Sequence, residues 1–253
     1  MIKTNKIKSD ESAFRFEFKY RISYYQYLNI KHSILPYMKL DDYTQNNKSK
    51  KYLVRSLYYE TSDYEIYSQK MSGDAERAKF RLRTYSSKME QAQKIRAEIK
   101  VRQGESLAKY STFTSIASYQ YFIDNCMWKM DESDPVLIEF NRYLLAKALR
   151  PKVLVEYHRE GYESRSNSEV RMTFDHNVRS VHEKTLFPCN PFFRTHHPFE
   201  IVLEIKCKHT YPFWLKKIIL DHGLSYIANS KYTQSIEASR QDQYYLDGIV
   251  IVR

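Results

Sequence analysis

Arg81 and Arg83 stand two residues apart, with Lys79 two residues before them and Phe80 and Leu82 in the gaps. At that spacing the three cations share one face of a strand, because successive side chains of a strand point to opposite sides. An arginine guanidinium grips phosphate oxygens two at a time, and a lysine ammonium is a mobile point charge, so the chemistry on offer is anion binding. The pattern recurs. Arg15, Glu17, Lys19 and Arg21 alternate with Phe14, Phe16, Phe18 and Tyr20. Arg96, Glu98, Lys100 and Arg102 alternate with Ile95, Ala97, Ile99 and Val101, and Glu204, Lys206 and Lys208 alternate with Leu203, Ile205 and Cys207. Simple exposure to water is the competing reading, since most charged residues are solvated. A solvent face usually mixes both charge signs with Ser and Thr, whereas these stripes are biased to Arg and Lys. Like charges on neighbouring strands also cost free energy, which an anionic ligand would offset. A sheet closed with these faces inward makes a basic tunnel for a polyanion.

The elements that carry the stripes come as strands in pairs with helices between them. Strands are expected at Phe14–Ile22, Tyr52–Tyr59, Ala78–Tyr85, Lys94–Arg102, Val153–Tyr162, Glu169–Phe174 and Phe199–Lys208. Helices are expected from Ser23 to about Leu35, at Thr61–Ser72 with Thr61 or Ser62 as cap, and at Thr112–Ile123, Val136–Leu149, Tyr211–His222 and Lys231–Gln243. Asp41–Lys51 reads as a polar loop and His182–Phe199 as irregular. The order is not a steady β-α-β alternation, which argues against a parallel doubly wound sheet. The expected fold is α+β: a closed antiparallel β-barrel with helices packed on its outside. The helices cover the apolar face of the sheet and leave the charges to the lumen.

The chain has 253 residues and no linker, so residues 1–253 read as one domain. Its formal charge of +11 favours an anionic partner: nucleic acid, a membrane surface or phosphate compounds. The basicity lies in strands and not in a tail. Nucleic-acid duplexes do not fit a narrow tunnel, and no helix-turn-helix or zinc motif is present. The three cysteines, Cys126, Cys189 and Cys207, are scattered and give neither a disulfide framework nor metal-ligand spacing. With no long apolar run and no apolar core in the first ten residues, the expectation is a soluble, cytoplasmic protein.

The residues also carry a resemblance. Arg15-Phe-Glu-Phe-Lys19-Tyr20, Lys79-Phe-Arg81-Leu-Arg83-Thr-Tyr85, Glu98-Ile-Lys100, Val155-Glu-Tyr157-His-Arg159, Arg171-Met-Thr-Phe-Asp175, Leu203-Glu204-Ile-Lys206 and Ser230-Lys231-Tyr232 follow one another in order. From about Phe14 to Ser235 the chain resembles the VTC domain, the polyphosphate polymerase branch of the CYTH-like triphosphate tunnel metalloenzymes. The resemblance implies an antiparallel barrel around a tunnel that holds triphosphate or polyphosphate beside a divalent metal, Mn²⁺ or Mg²⁺. It implies that Lys19, Arg81, Arg83, Lys100, Arg159, Arg171 and Lys231 line the phosphate path. Lys70, Lys109 and Lys206 would add binding contacts, Lys109 further along the tunnel, and Glu204 would hold the metal. Glu17 and Glu98 would orient the lysines.

The activity implied is transfer of the terminal phosphate of a nucleoside triphosphate, ATP foremost, to a growing polyphosphate chain. A membrane protein partner is compatible with it. The alternatives are a metal-dependent triphosphatase or polyphosphatase in the same tunnel, and a non-catalytic polyphosphate or nucleotide sensor. Hydrolytic and cyclase relatives open with Glu-x-Glu-x-Lys, whereas Arg15 stands first here, which favours the polymerase. Arg159 is out of phase with the more heavily charged face of its strand, and a bulge would bring it in.

Overall fold

The computed structural model describes residues 16–104, 106–129, 133–166, 170–208, 210–227 and 230–238. Its strands are β1 (Phe16–Ser23), β2 (Met38–Leu40), β3 (Tyr52–Glu60), β4 (Glu76–Thr84), β5 (Ile95–Gln103), β6 (Ser106–Thr114), β7 (Arg150–Ser164), β8 (Val170–Val181), β9 (Arg194–Thr195) and β10 (Glu200–Cys207). Its helices are α1 (Tyr24–Ile34), α2 (Asp42–Gln45), α3 (Glu65–Met71), α4 (Ile116–Asn125), α5 (Pro135–Ala146) and α6 (Phe213–Asp221), and residues 231–238 are also helical. The expected apolar tail and the end of the last helix, like Arg15, lie outside the described residues.

The strands form one antiparallel sheet in the order β1-β10-β8-β7-β3-β4-β5-β6. The α+β, antiparallel architecture is as expected. Backbone closure is not: among the described residues no ladder joins β1 to β6. One side-chain ion pair reaches across the lumen, with Lys100 Nζ of β5 3.7 Å from Glu17 Oε2 of β1. The curled sheet is tunnel-like.

Helices cover the outer face in two groups. One core, with Phe80, Trp128, Phe140 and Leu154 wholly buried, lies between β3–β7 and α3–α5. The other, with Ile22, Ile30, Phe174 and Leu203, lies under α1 and α6. Phe80 meets Phe140 edge to face at 5.6 Å, and Phe122 stacks on Trp128 at 4.3 Å. Each such side chain contributes about 1.5–3 kcal/mol by leaving water, so the apolar parity of each stripe is fixed outward and the charged parity inward. α1 starts where Ser23 and Gln26 form a reciprocal capping box.

Several local expectations are corrected. Residues expected to begin a helix at Thr112 belong to β6, whose Tyr110 and Thr112 pair with Ile99 and Ala97; α4 starts after Ser115, which caps it. The polar loop contains α2, and the irregular stretch contains β9 paired with β8. α3 begins at Glu65 and not at Thr61, because the buried Glu60 carboxylate accepts from the amides of Ile66 (3.0 Å) and Tyr67 (3.0 Å). β7 and β8 run longer than expected. The irregularity in their mutual pairing lies on β8, at Asn177 with φ 52°, and the one bulge of β7 against β3 lies at Lys152, away from Arg159. Arg159 needs no bulge because β7 is polar on both faces. Glu156 and Glu160 point outward to Arg55, Arg179, Tyr27 and Tyr162, while Tyr157 and Arg159 point into the tunnel.

Candidate functional site

The inward stripes enclose a cavity of about 330 Å³. Twelve lysine and arginine side chains and three glutamates line it. Of the residues expected to bind phosphate or metal, Lys19, Lys70, Arg81, Arg83, Lys100, Lys109, Arg159, Glu204, Lys206 and Lys231 are all brought together there. Arg171 is not. It lies on the same sheet face, opposite Lys206, but near the start of β8, half exposed and turned toward Asp41 at 4.0 Å.

The registers create the field. Going along β4 and β5, Arg77 lies opposite Arg102, Lys79 opposite Lys100, Arg81 opposite Glu98 and Arg83 opposite Arg96, while Lys109 of β6 lies opposite Lys100. Four of these five pairs are like-charged, an arrangement that costs free energy without a counter-ion. Glu98 is the pivot of the fifth. Its buried carboxylate accepts from Arg81 Nε at 2.6 Å, with Arg83 Nη1 at 3.5 Å and Lys109 Nζ at 4.0 Å. Burial alone would raise its pKa, but Arg81, Arg83 and Lys109 outweigh this and hold it far below the usual carboxylate range. Arg81 also donates to the Tyr58 hydroxyl at 3.0 Å, and Arg83 to Ser56 Oγ at 3.3 Å. Both guanidiniums are thereby fixed in place before any ligand arrives.

A second carboxylate group holds the opposite wall. Asp175, fully buried, accepts from Arg159 Nε (2.6 Å) and Nη2 (2.8 Å) and from Lys231 Nζ (2.6 Å). Lys231 sits at the first turn of the 231–238 helix, which thus closes onto the tunnel through that ion pair. Glu204 Oε1 is 3.1 Å from Lys206 Nζ, and its Oε2 is 3.7 Å from Arg159 Nη2. Burial would raise the Glu204 pKa, yet Lys206, Lys19, Arg159 and Lys231 bring it well below the ordinary value. Glu17 reaches Lys19 at 2.8 Å and Lys206 at 3.9 Å. Lys206 therefore lies between two carboxylates.

Two participants had no site role in the sequence reading, and a third has a wider one. Asp175 stood in a recognised motif without a role, because nothing local shows that two cations converge on it. Glu98 serves more cations than the lysine it precedes. Lys79 was legible in the first stripe yet not singled out. Its ammonium donates to Ser230 Oγ at 3.0 Å and lies over the Tyr232 ring at 5.0 Å. No carboxylate among the described residues pairs with it.

The metal expectation can be tested on the donors. Glu17 and Glu204 are hard oxygen donors on neighbouring strands, close enough that Glu204 works to raise the Glu17 pKa, with a cation already between them. Among the described residues no cluster of three or more His, Cys, Asp or Glu forms a complete cage. That fits a Mg²⁺- or Mn²⁺-type ion held by one or two carboxylates, with the remaining ligands from phosphate and water.

The VTC domain profile matches residues 14–240. The chain belongs to the VTC domain family. That makes it a triphosphate-tunnel protein of the CYTH-like group, and the VTC match spans every strand and the helix that carries Lys231. Two solved structures share the fold of this VTC domain. A candidate adenylate cyclase of Bacillus halodurans is 13% identical, with TM-score 0.50, covering 85% of this chain and 92% of its own. A candidate adenylyl cyclase of Hippeastrum, described with a dominant triphosphatase activity, is 13% identical, with TM-score 0.50, covering 88% and 95%. No curated protein sequence matches the chain significantly.

Proposed function

We propose that this VTC domain is a polyphosphate polymerase that moves the terminal phosphate of a nucleoside triphosphate onto the end of a polyphosphate chain. The observation that carries the reading is the cavity wall itself: twelve cations against three glutamates, with each glutamate ion-paired. Such a wall suits two polyanions, a triphosphate donor and a phosphate-chain acceptor, meeting end to end. The acceptor is already anionic and needs no base. Catalysis is then positioning and charge neutralisation.

Hydrolysis by general-base activation of water would need a carboxylate able to take a proton near neutral pH. Glu17, Glu98 and Glu204 are all held below the ordinary carboxylate value. Arg15 stands where hydrolytic relatives carry another glutamate.

In the proposed mechanism Arg81 and Arg83, braced by Glu98, Tyr58 and Ser56, hold the donor phosphates in one orientation. Arg159 and Lys231, locked by Asp175, face them from the other wall. Lys19, Lys100 and Lys206, freed from Glu17 and Glu204 by the incoming charge, follow the phosphate oxygens as mobile cations. Glu204, with Glu17, would hold a divalent ion, which supplies Lewis-acid neutralisation of the transferring phosphoryl group. Lys70 and Lys109 grip the chain further along.

Arg83→Ala and Lys100→Ala are each expected to abolish synthesis while the thermal unfolding transition stays cooperative. Retained synthesis in both variants contradicts the assignment.

A further inference from the structure

Three tyrosines gather just beyond one end of the cavity. β4 defines the axis: Arg77 is its second residue, and Tyr85 follows its last. The Arg77 end is lined by Lys70, Arg77, Arg102 and Leu107. At the other end Tyr85 extends the Arg81–Arg83 stripe by one step. Tyr52 opens β3 opposite Arg159, on the parity of Ser56 and Tyr58. Tyr43 comes from α2. The Tyr43 and Tyr85 rings lie 6.3 Å apart and 17° from parallel, and Tyr52 touches both, at 5.8 and 6.1 Å.

Tyr43 is 69% exposed and Tyr85 41%. They do not serve the core, yet the element beneath them is rigidly held. Asp41 N donates to Gly161 O at 2.9 Å, Gly161 N donates to Thr44 Oγ1 at 2.8 Å, and Thr44 N donates to Asp41 Oδ1 at 2.8 Å. A Cβ at Gly161 would come within 2.1 Å of Asp41 Oδ2, so a glycine is required there for α2 to seat against β7. The other exposed ring at this end, Phe113, is covered by Arg96 at 5.0 Å and Lys94 at 5.9 Å. Among the described residues no cation covers Tyr43 or Tyr85. Arg171, outside the cavity, belongs to this same end, since Asp41 lies between it and α2.

We infer that Tyr43 and Tyr85, backed by Tyr52, form a stacking platform for the nucleobase of a nucleoside triphosphate whose phosphates pass Arg83 into the cavity. Strand geometry sets Arg83 about 7 Å and Arg81 about 14 Å from Tyr85 along β4, so a base on the platform brings its phosphate tail alongside both. Stacking engages the π-face that every base has, so the platform selects nucleotides over inorganic triphosphate but discriminates little among bases. The tunnel is thus polar, with an aromatic donor end and a chain end dominated by Lys70, Arg77 and Arg102. This rests on the proposed use of the cavity by a triphosphate donor.

The test is calorimetric binding of ATP and of inorganic tripolyphosphate, with Mg²⁺, to the intact chain and to Tyr43→Ala, Tyr85→Ala and Tyr85→Phe. The alanine variants are expected to bind ATP about tenfold more weakly, to bind tripolyphosphate unchanged, and Tyr85→Phe to retain ATP affinity. Unchanged ATP binding, or equal weakening of both ligands, overturns the platform. Failure of the unsubstituted chain to bind either ligand overturns the triphosphate site itself, and the platform with it.

Discussion

Lys79 is the tunnel residue whose state depends most on what the tunnel holds. Burial first, then the neighbouring Lys19, Lys70, Lys100 and Arg77, push its pKa from 10.5 down to about 7. Between these values the unfolded chain holds a proton that the folded chain lacks, so this group makes stability rise with pH across that window. A bound polyanion restores the proton. Lys109, pushed down to about 8 by burial and by nearby arginines against the pull of Glu98, responds in the same sense. At pH 8, titration with inorganic tripolyphosphate in two buffers of different ionisation enthalpy is expected to show net proton uptake, reduced in Lys79→Met. Identical uptake in that variant would remove Lys79 from this account. At this scale the cations were legible in the sequence because alternation exposes them directly. Glu17 and Glu98 were readable as partners of the lysines, but Asp175 was not, since it meets Arg159 and Lys231 only through register and a helix distant in sequence.

At the scale of elements, Glu60 ties three pieces together. Its carboxylate accepts from the amides of Thr61, Ile66 and Tyr67 and from the Tyr232 hydroxyl, so one buried residue ends β3, starts α3 and anchors the helix that presents Lys231. Glu60→Ala strands these buried donors and is expected to cost about 1–3 kcal/mol of stability, read by denaturant unfolding. A change within a few tenths would mean the cap is dispensable. The paired strands with strict alternation were readable from sequence. β6 was not, because Ser106–Thr114 mixes polar and apolar residues on both faces and becomes a strand only by pairing with β5. α3 was placed too early because the Thr61 hydroxyl and the Glu60 carboxylate reach forward over a turn to the amides of Glu65, Ile66 and Tyr67, so the helix starts four residues after its hydroxyl cap. Tertiary contacts decided both.

For the whole molecule, the consequence of an inward cationic face is self-repulsion relieved by ligand. The ion pair between Glu17 and Lys100 shares that field. Polyphosphate at a hundredfold excess over its Kd is expected to stabilise the fold by about 2.7 kcal/mol. For a chain of this size that raises Tm by roughly 5–10 °C, and duplex DNA of equal phosphate content should give a far smaller shift. Equal shifts would indicate a surface charge effect without a tunnel. The inward polarity was legible because four stripes agreed, and the family follows from the match over residues 14–240. That no ladder joins β1 to β6 was not legible, since it depends on how far the sheet curls.

The most direct measurement is incubation of the purified chain with ATP and Mn²⁺, resolving ADP, free phosphate and polymer. The account predicts long-chain polyphosphate with ADP in matching amount. Free phosphate without polymer, or tight polyphosphate binding with no turnover, would contradict it.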